Sequence, residues 1–451
     1  MRKTFSLLLI LFFFCSSVSL YSQWVASGTV TISGSYPSVS VVSPTVAWIV
    51  GGSNSPVIYR TTDGGTTWTS VPTTGLPVKA LMCVWALSDQ IAYVGDGGDA
   101  QGTTGGDAAV SVTTNGGTSW TQLFNTGGSA GFFNGIVFSR LNPNYGFAES
   151  DPSAGTGNPY YVQKTTNGGA NWTLINPPGI PGNASAQNSL CMIDDQFFGF
   201  GLNSSAVVYL TSNGGTNWFN SVLNLTGTSL FTSALAFSDN KQIGVAALST
   251  SHPSISRSTN GGVTWAAINL GGSGSTTNSA LKWINGTNTV FFLGQVSTAS
   301  KFYMSTNAGQ NWTAMTSAGS NFFHFDFVRV GTTVTGFATC VGGAIYKLTQ
   351  TVTLVKPENN VVPAEYKLEQ NYPNPFNPST TISFSIPRKE FVTLKVYNAA
   401  GKEVASLVNK KLDAGGYNER FIATKDISSG VYFYKLTAGN FTDTKKFILL
   451  K

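Results

Sequence analysis

Six times between Thr61 and Trp312 the chain carries nearly the same eight residues. The copies are Thr61-Thr-Asp-Gly-Gly-Thr-Thr-Trp68, Thr113-Thr-Asn-Gly-Gly-Thr-Ser-Trp120, Thr165-Thr-Asn-Gly-Gly-Ala-Asn-Trp172, Thr211-Ser-Asn-Gly-Gly-Thr-Asn-Trp218, Ser258-Thr-Asn-Gly-Gly-Val-Thr-Trp265 and Ser305-Thr-Asn-Ala-Gly-Gln-Asn-Trp312. Their tryptophans are 52, 52, 46, 47 and 47 residues apart. A fixed period of this length marks a repeat architecture, and units of about 40 to 50 residues with several short strands have the spacing of β-propeller blades. The repeat overrides the prior of about three domains that 451 residues would suggest, because a propeller closes one ring-shaped core over several hundred residues.

Composition agrees with an exported all-β chain. There are 50 glycines, 12% aromatic residues and only 10% charged residues, where a typical globular chain has about a quarter. Residues 1–22 read as a signal peptide: Arg2 and Lys3 form the positive end, Phe5 to Phe14 the apolar stretch, and Ser16 to Ser22 the small-residue exit before Gln23. The apolar run is shorter than the roughly 20 residues that span a bilayer, and no transmembrane segment is expected in the mature chain. Phe12-Phe13-Phe14 lacks the small residue that processing to a lipid-modified Cys15 requires. The mature chain keeps Cys83, Cys191 and Cys340, an odd number in distant repeats, so they are expected as small buried hydrophobes and not as a disulfide framework. Residues 24–355 hold 10 Lys/Arg against 11 Asp/Glu, and residues 356–451 hold 14 against 9. The repeat region therefore lacks the basic patch that drives nucleic-acid binding.

Each unit has the same internal order: three apolar or β-branched runs lead into the eight-residue box and one run leaves it. In the fifth unit the leading runs are Ser233 to Ser238, Gln242 to Leu248 and Ser254 to Arg257. In the box, Asp or Asn at the third position closes a turn onto its own backbone: Asp63, Asn115, Asn167, Asn213, Asn260 and Asn307. The Gly-Gly pair supplies positive φ. Trp68, Trp120, Trp172, Trp218, Trp265 and Trp312 are expected to wedge against the next blade. With its marked positions Ser/Thr-x-Asp/Asn-x-Gly-x-x-Trp, the box resembles the Asp-box (BNR) repeat. Residues 321–350 repeat the three-strand pattern without a box, while Gln23-Trp-Val-Ala-Ser27 is an unaccompanied strand. The expectation is a seven-bladed β-propeller over residues 23–352, closed by that N-terminal strand. The overall shape resembles photosystem II assembly factor-like and sortilin-like propellers, a likeness that implies protein binding without catalysis.

A linker at 353–365, broken by Pro357 and Pro363, leads to a lysine-rich segment, 366–451, with strand-like runs at Thr381 to Ile386, Val392 to Tyr397, Gly430 to Leu436 and Lys446 to Lys451. These describe a small Ig-like β-sandwich. The segment resembles the type A C-terminal sorting domain of type IX (Por) secretion cargo from Bacteroidetes-like bacteria. The likeness rests on Asn371, Pro373, Asn374, Pro375 and Phe376, on Val396 to Val404 and Ala414 to Gly416, on Gly430 and Tyr432, and on the terminal run to Lys451. It implies export through the periplasm to the outer surface or medium, with the type IX machinery as partner.

Chemistry is sought where the repeats differ. The loops between the second and third strands lie on the face opposite the boxes, and two of them are acidic: Asp96, Asp99 and Asp107 in the second blade, Glu149 and Asp151 in the third. Paired carboxylates can run glycoside hydrolysis, and these five are the candidate ligand-binding residues, with Asp96, Glu149 and Asp151 the catalytic candidates. Sialidases also use Asp-box propellers. The propeller here has Arg60, Arg140, Arg257 and Arg329 but only one glutamate and no Arg-Ile-Pro start, so that activity is not expected. His252 and His324 are too few for a metal site, and no cofactor is implied. The reading is a protein- or glycan-binding or adhesion module, with a secreted sialidase- or endoglucanase-like glycoside hydrolase as the alternative.

Overall fold

The computed structural model describes residues 24–450 except 33–36, 53–54, 99–105, 129–130, 153, 155–156, 176–188, 203–204, 225–230, 250–253, 271–279, 297–298, 316–321, 355–364, 373, 377–378, 413 and 425. The signal-peptide residues and the linker core therefore lie outside the described residues. No helix is long and apolar enough to cross a membrane among the residues described.

The repeat region is a β-propeller of four-stranded antiparallel sheets, seven of them among the described residues. The first comprises Ser38–Val41, Ala47–Gly51, Val57–Thr61 and Thr69–Ser70, with the box turn between its third and fourth strands. Blades 2 to 6 start at Leu81, Phe133, Cys191, Phe231 and Ala280 and follow the same order. The last sheet takes three strands from Phe322–Val330, Thr333–Cys340 and Ala344–Thr351, and its fourth is Val25–Thr29. Val25 lies opposite Lys347 and Thr29 opposite Ala344, so the N-terminal strand closes the ring. Trp24 just before it is fully buried and stacks on Phe302 of blade 6 at 4.4 Å between ring centroids. That contact ties the closing strand to two blades at once.

The boxes show why their residues recur. In the first, the Thr61 hydroxyl donates to Asp63 Oδ1 (2.8 Å) and accepts from the Gly65 N–H (2.9 Å), while Asp63 Oδ1 accepts from the Thr67 N–H (2.9 Å). These bonds hold the Asp63 carboxyl down at a pKa of about 2, the Thr67 hydroxyl contributing most. Two successive residues have positive φ, as at Gly64 (73°) and Gly65 (85°), and Ala308 (58°) accepts that conformation in the sixth box. The second glycine is also a packing requirement, since a Cβ on Gly169 would lie 2.0 Å from the Tyr93 hydroxyl and one on Gly117 2.1 Å from Val71. Both neighbours belong to the preceding blade.

The tryptophans correct the expected direction of packing. Trp68 lies edge-on to Phe337 of the last blade, Trp120 to Trp48 of blade 1, and Trp172 to Tyr93 of blade 2. These three wedges grip the blade before them, while Trp218, Trp265 and Trp312 pack on rings of their own blades. Contact with the following blade comes from the third strand, at the residue just ahead of the box or, in the last blade, at Lys347. Arg60 donates to the carbonyl of Gly116 (2.9 Å), Lys164 to Gly214 (3.0 Å), Arg257 to Ala308 (2.7 Å) and Lys347 to Gly64 (2.7 Å). A cation from one blade thus caps the first glycine position of the next box.

The tail forms two sheets around one core. The strands Lys367–Leu368, Ser379–Ile386 and Gly415–Ile422 make one sheet; Glu403–Leu412, Glu390–Asn398, Gly430–Ala438 and Phe441–Leu449 make the other. Ile382, Phe384, Leu394, Tyr434, Leu436 and Phe447 are buried between them. Two strands, Glu403–Leu412 and Gly415–Ile422, are additional to the runs read from sequence, and the last strand starts earlier than Lys446.

Candidate functional site

The acidic loops of blades 2 and 3 are built into the fold. Asp96 is buried, and its Oδ1 accepts from the N–H groups of Gly98 (2.9 Å) and Ala109 (3.1 Å). Asp107 binds the Gly127 N–H (3.0 Å) through Oδ1 and the Asn125 amide (2.9 Å) through Oδ2. Asp151 Oδ1 accepts from the Asn134 amide at 2.7 Å. Glu149 is fully buried within the strand Gly146–Ser150, opposite Gly135 and Val162. Asp99 lies outside the described residues. Burial raises the pKa of the Cys83 thiol, and the Asp96 and Glu149 charges add to the shift. Tyr160 is raised in the same way, by burial first and then by Glu149 and Asp151. Asp96, Glu149 and Asp151 thus share one neighbourhood, in which Asp96 and Asp151 accept from loop and strand donors.

The arginines do not converge. Arg60 and Arg257 cap box carbonyls, Arg329 donates to the carbonyls of Asn285 (2.7 Å) and Gly331 (2.6 Å), and Arg140 reaches the central channel. His252 lies outside the described residues, and no group of His, Cys, Asp or Glu that could hold a metal occurs among those described. The three cysteines are free and buried; burial pushes Cys191 and Cys340 up to about 12, which leaves them inert.

A polar cluster that sequence reasoning missed sits in the channel. Innermost strands are sheet edges, and their N–H groups need partners from across the ring. The Val41 N–H donates to Asp326 Oδ2 (2.8 Å) and the Val39 N–H to His324 Nδ1 (3.1 Å), which joins blade 1 to the last blade. Arg140 comes from blade 3 to meet Asp326 Oδ2 at 2.6 Å, and Lys282 from blade 6 stands 3.6 Å from Oδ1. The Arg140 guanidinium also lies over the Trp85 ring, 4.8 Å from its centroid. Burial raises the Asp326 pKa, but Arg140, Lys282 and the Val41 N–H outweigh it and the net shift is downward. Burial lowers His324 to about 3, helped by the Lys282 charge and opposed by Asp326. The cavity they line is small, about 30 Å³. The sequence signal was present in Phe322-Phe-His-Phe-Asp-Phe327: two polar residues two apart on a strand face the same side, here the channel.

This cluster lies toward the box side. Arg140 follows the innermost strand Phe133–Phe138, in the turn to the second strand, and these turns bond to the boxes: Gly64 N–H to the Thr45 carbonyl, Gly168 N–H to that of Asn144 (both 2.9 Å). The charged mouth is therefore on the face opposite the one expected to hold the site. Side chains of Arg140 and Lys282 are 29% and 27% exposed there.

In the tail, the two halves of the sorting signature are one physical unit. Phe376 pairs with Leu449 in parallel, donating its N–H to the Ile448 carbonyl and accepting from the Leu450 N–H (both 3.0 Å). Asn374 Oδ1 accepts from the Ile448 N–H (2.8 Å), and the Asn371 N–H donates to the Tyr434 hydroxyl (2.8 Å). Phe376 packs on Phe421 and Phe447, and the Tyr432 hydroxyl donates to the Ser428 carbonyl (2.7 Å). The Asn374–Pro375 bond is cis, and Gly430 opens its strand at φ 155°. Pro373 and Lys451 lie outside the described residues.

Residues 370–450 match the family model described as a secretion system C-terminal sorting domain. Among solved structures, the chain is similar to YCF48 bound to D1 peptide, with 19% identity, a TM-score of 0.51, and coverage of 73% of this chain and 97% of that one. It is also similar to YCF48 from Cyanidioschyzon merolae, at 17% identity, TM-score 0.48, and 72% and 98% coverage. An ancestral GH74 enzyme gives 13% identity and a TM-score of 0.52 over 94% of this chain and 63% of that one. Identities this low establish the propeller fold alone. Comparison with curated proteins gives no match. The chain is a β-propeller fused to a type IX secretion sorting tail, and the tail directs it to the cell surface or the medium.

Proposed function

We propose that the propeller is the exported cargo and acts as a recognition module, holding a protein or glycan ligand without turning it over. The observation that carries this reading is the state of the acidic groups. Asp96 and Asp151 each commit Oδ1, and Asp107 both oxygens, to loop and strand donors, and Glu149 is enclosed in a strand. A glycosidase needs two carboxylates free to face a shared sugar, about 5 to 10 Å apart. The exposed part of Arg140 and Lys282 beside Trp85, with Asp326 as their carboxylate partner among the described residues, favours an anionic group on the ligand. The solved propeller bound to D1 peptide is a precedent for peptide recognition on this fold.

The deciding experiment pairs a polysaccharide hydrolysis panel with glycan-array and pull-down binding on the secreted protein. Binding without turnover, weakened by Lys282→Ala, is the expected result. Hydrolysis that disappears in Asp96→Ala or Asp151→Ala would establish the glycoside hydrolase instead.

A further inference from the structure

The tail presents an apolar face that nothing in the chain covers. On the four-stranded sheet, Tyr432, Tyr434, Leu436, Phe447 and Leu449 point inward and are buried. The alternate positions point out, and three of them are large and apolar: Val431 (43% exposed), Phe433 (37%) and Ile448 (37%). Register gathers them, with Val431 opposite Ile448 and Phe433 opposite both Lys446 and Tyr397. Lys435 follows two residues beyond Phe433, opposite Lys395. Lys395 is paired with Glu403 at 2.8 Å, whereas Lys435 and Lys446 have no carboxylate partner among the described residues. The surface is thus an apolar strip with a lysine rim.

We propose that this strip is the docking surface through which the tail is gripped during export, and that its partner is a protein surface with an apolar centre and an acidic rim. The proposal rests on the tail being the export signal. Charge complementarity selects the occupant. A second copy of the chain would bring Lys435 and Lys446 against their own equivalents, and like charges across an interface disfavour that pairing. The propeller is not the occupant, because the strip is open with the propeller in place. A lipid surface is disfavoured by shape, since these side chains lie flush in a pleated sheet with no loop to enter an acyl layer. Strand addition at the neighbouring edge is blocked too: Asn374 and Phe376 already bond the backbone of Ile448 and Leu450.

The test uses the full-length chain in a type IX-competent host, with surface, medium and periplasmic fractions quantified. Phe433→Ser with Ile448→Thr should lower the exported fraction by about tenfold or more, the effect of losing a central apolar anchor. Lys435→Glu with Lys446→Glu should do the same without touching the core, so folding of the tail is not at stake. Normal export of the charge-reversed chain would overturn the proposal. A dimer that dissociates on charge reversal, or binding to anionic phospholipid vesicles that is lost with it while export is unchanged, would assign the strip to a second copy or to a membrane. Deletion of residues 371–451 separates the two levels of inference: if the truncated chain is still exported, the tail reading itself fails, whatever the face does.

Discussion

His324 should make the propeller acid-sensitive in a range where little else titrates. Its imidazole accepts the Val39 N–H through Nδ1 and faces Lys282 and Asp326 in the channel. Burial holds its pKa at about 3, against 6.5 for a free histidine side chain. Because the folded value is the lower one, the unfolded chain binds a proton first as pH falls, and the stabilisation present above pH 6.5 drains away below it. Between pH 7 and pH 5 the unfolded histidine gains about 2 kcal/mol from protonation while the buried one gains almost nothing, so the propeller loses that amount. All ten tryptophans lie between residues 24 and 312, so tryptophan fluorescence in a urea titration reports the propeller and not the tail. His324→Asn keeps an acceptor for the Val39 N–H but cannot take up the proton. It should cost stability at pH 7, yet its loss between pH 7 and pH 5 should be smaller than the wild-type loss by about 2 kcal/mol. An unchanged pH dependence in the variant would refute the assignment of the channel histidine as a buried neutral group.

Three further outcomes follow from contacts already described. Asp326→Ala removes the acceptor for the Val41 N–H and the counter-charge of Arg140 and Lys282; breaking such a buried pair costs about 3 to 5 kcal/mol, reduced here by the partial exposure of the cations, and the urea midpoint of the fluorescence transition should fall accordingly. Gly169→Ala must place a Cβ 2.0 Å from the Tyr93 hydroxyl at φ 85°, so it should destabilise by several kcal/mol, whereas Gly127→Ala, at φ 64° with open space around it, should cost about 1 kcal/mol. Phe376→Ala opens a cavity against Phe421 and Phe447 worth about 3 to 5 kcal/mol; the tail should melt earlier by far-UV circular dichroism and export should fall with it, while the tryptophan transition stays where it was.

What the sequence made legible was local or periodic. The Asp-box turn is readable because its hydrogen bonds close within seven residues, from Thr61 to Thr67, and because the positive φ at Gly64 and Gly65 favours glycine. Ring closure was readable because a strand before the first box and a missing strand after the last can satisfy each other only by pairing. The sorting tail was readable as a signature, yet the reason for it was hidden: Asn374 and Phe376 matter to Ile448 and Leu450, more than 70 positions away. The direction of the tryptophan wedges was misjudged for a related reason. Repeat order says which blades are neighbours but not which way a side chain leans after the turn.

The site was the least legible part, and the channel shows why. Carboxylates in Gly-rich loops look available in a sequence, but a loop that must stay compact has backbone donors to satisfy, and Asp96 and Asp107 are spent on them. Conversely, the Asp326 and His324 side chains sit inside an apolar run that reads as core. They matter because seven innermost edges meet at one axis, where Arg140, Lys282 and Asp326 converge from positions 140, 282 and 326. No spacing rule within one blade contains that convergence, since it is a property of the closed ring. In a propeller, then, a charged residue on an innermost strand deserves more weight as a site candidate than a carboxylate in a glycine-rich loop, because the strand has neighbours on both sides to hold its backbone and leaves the side chain to the axis.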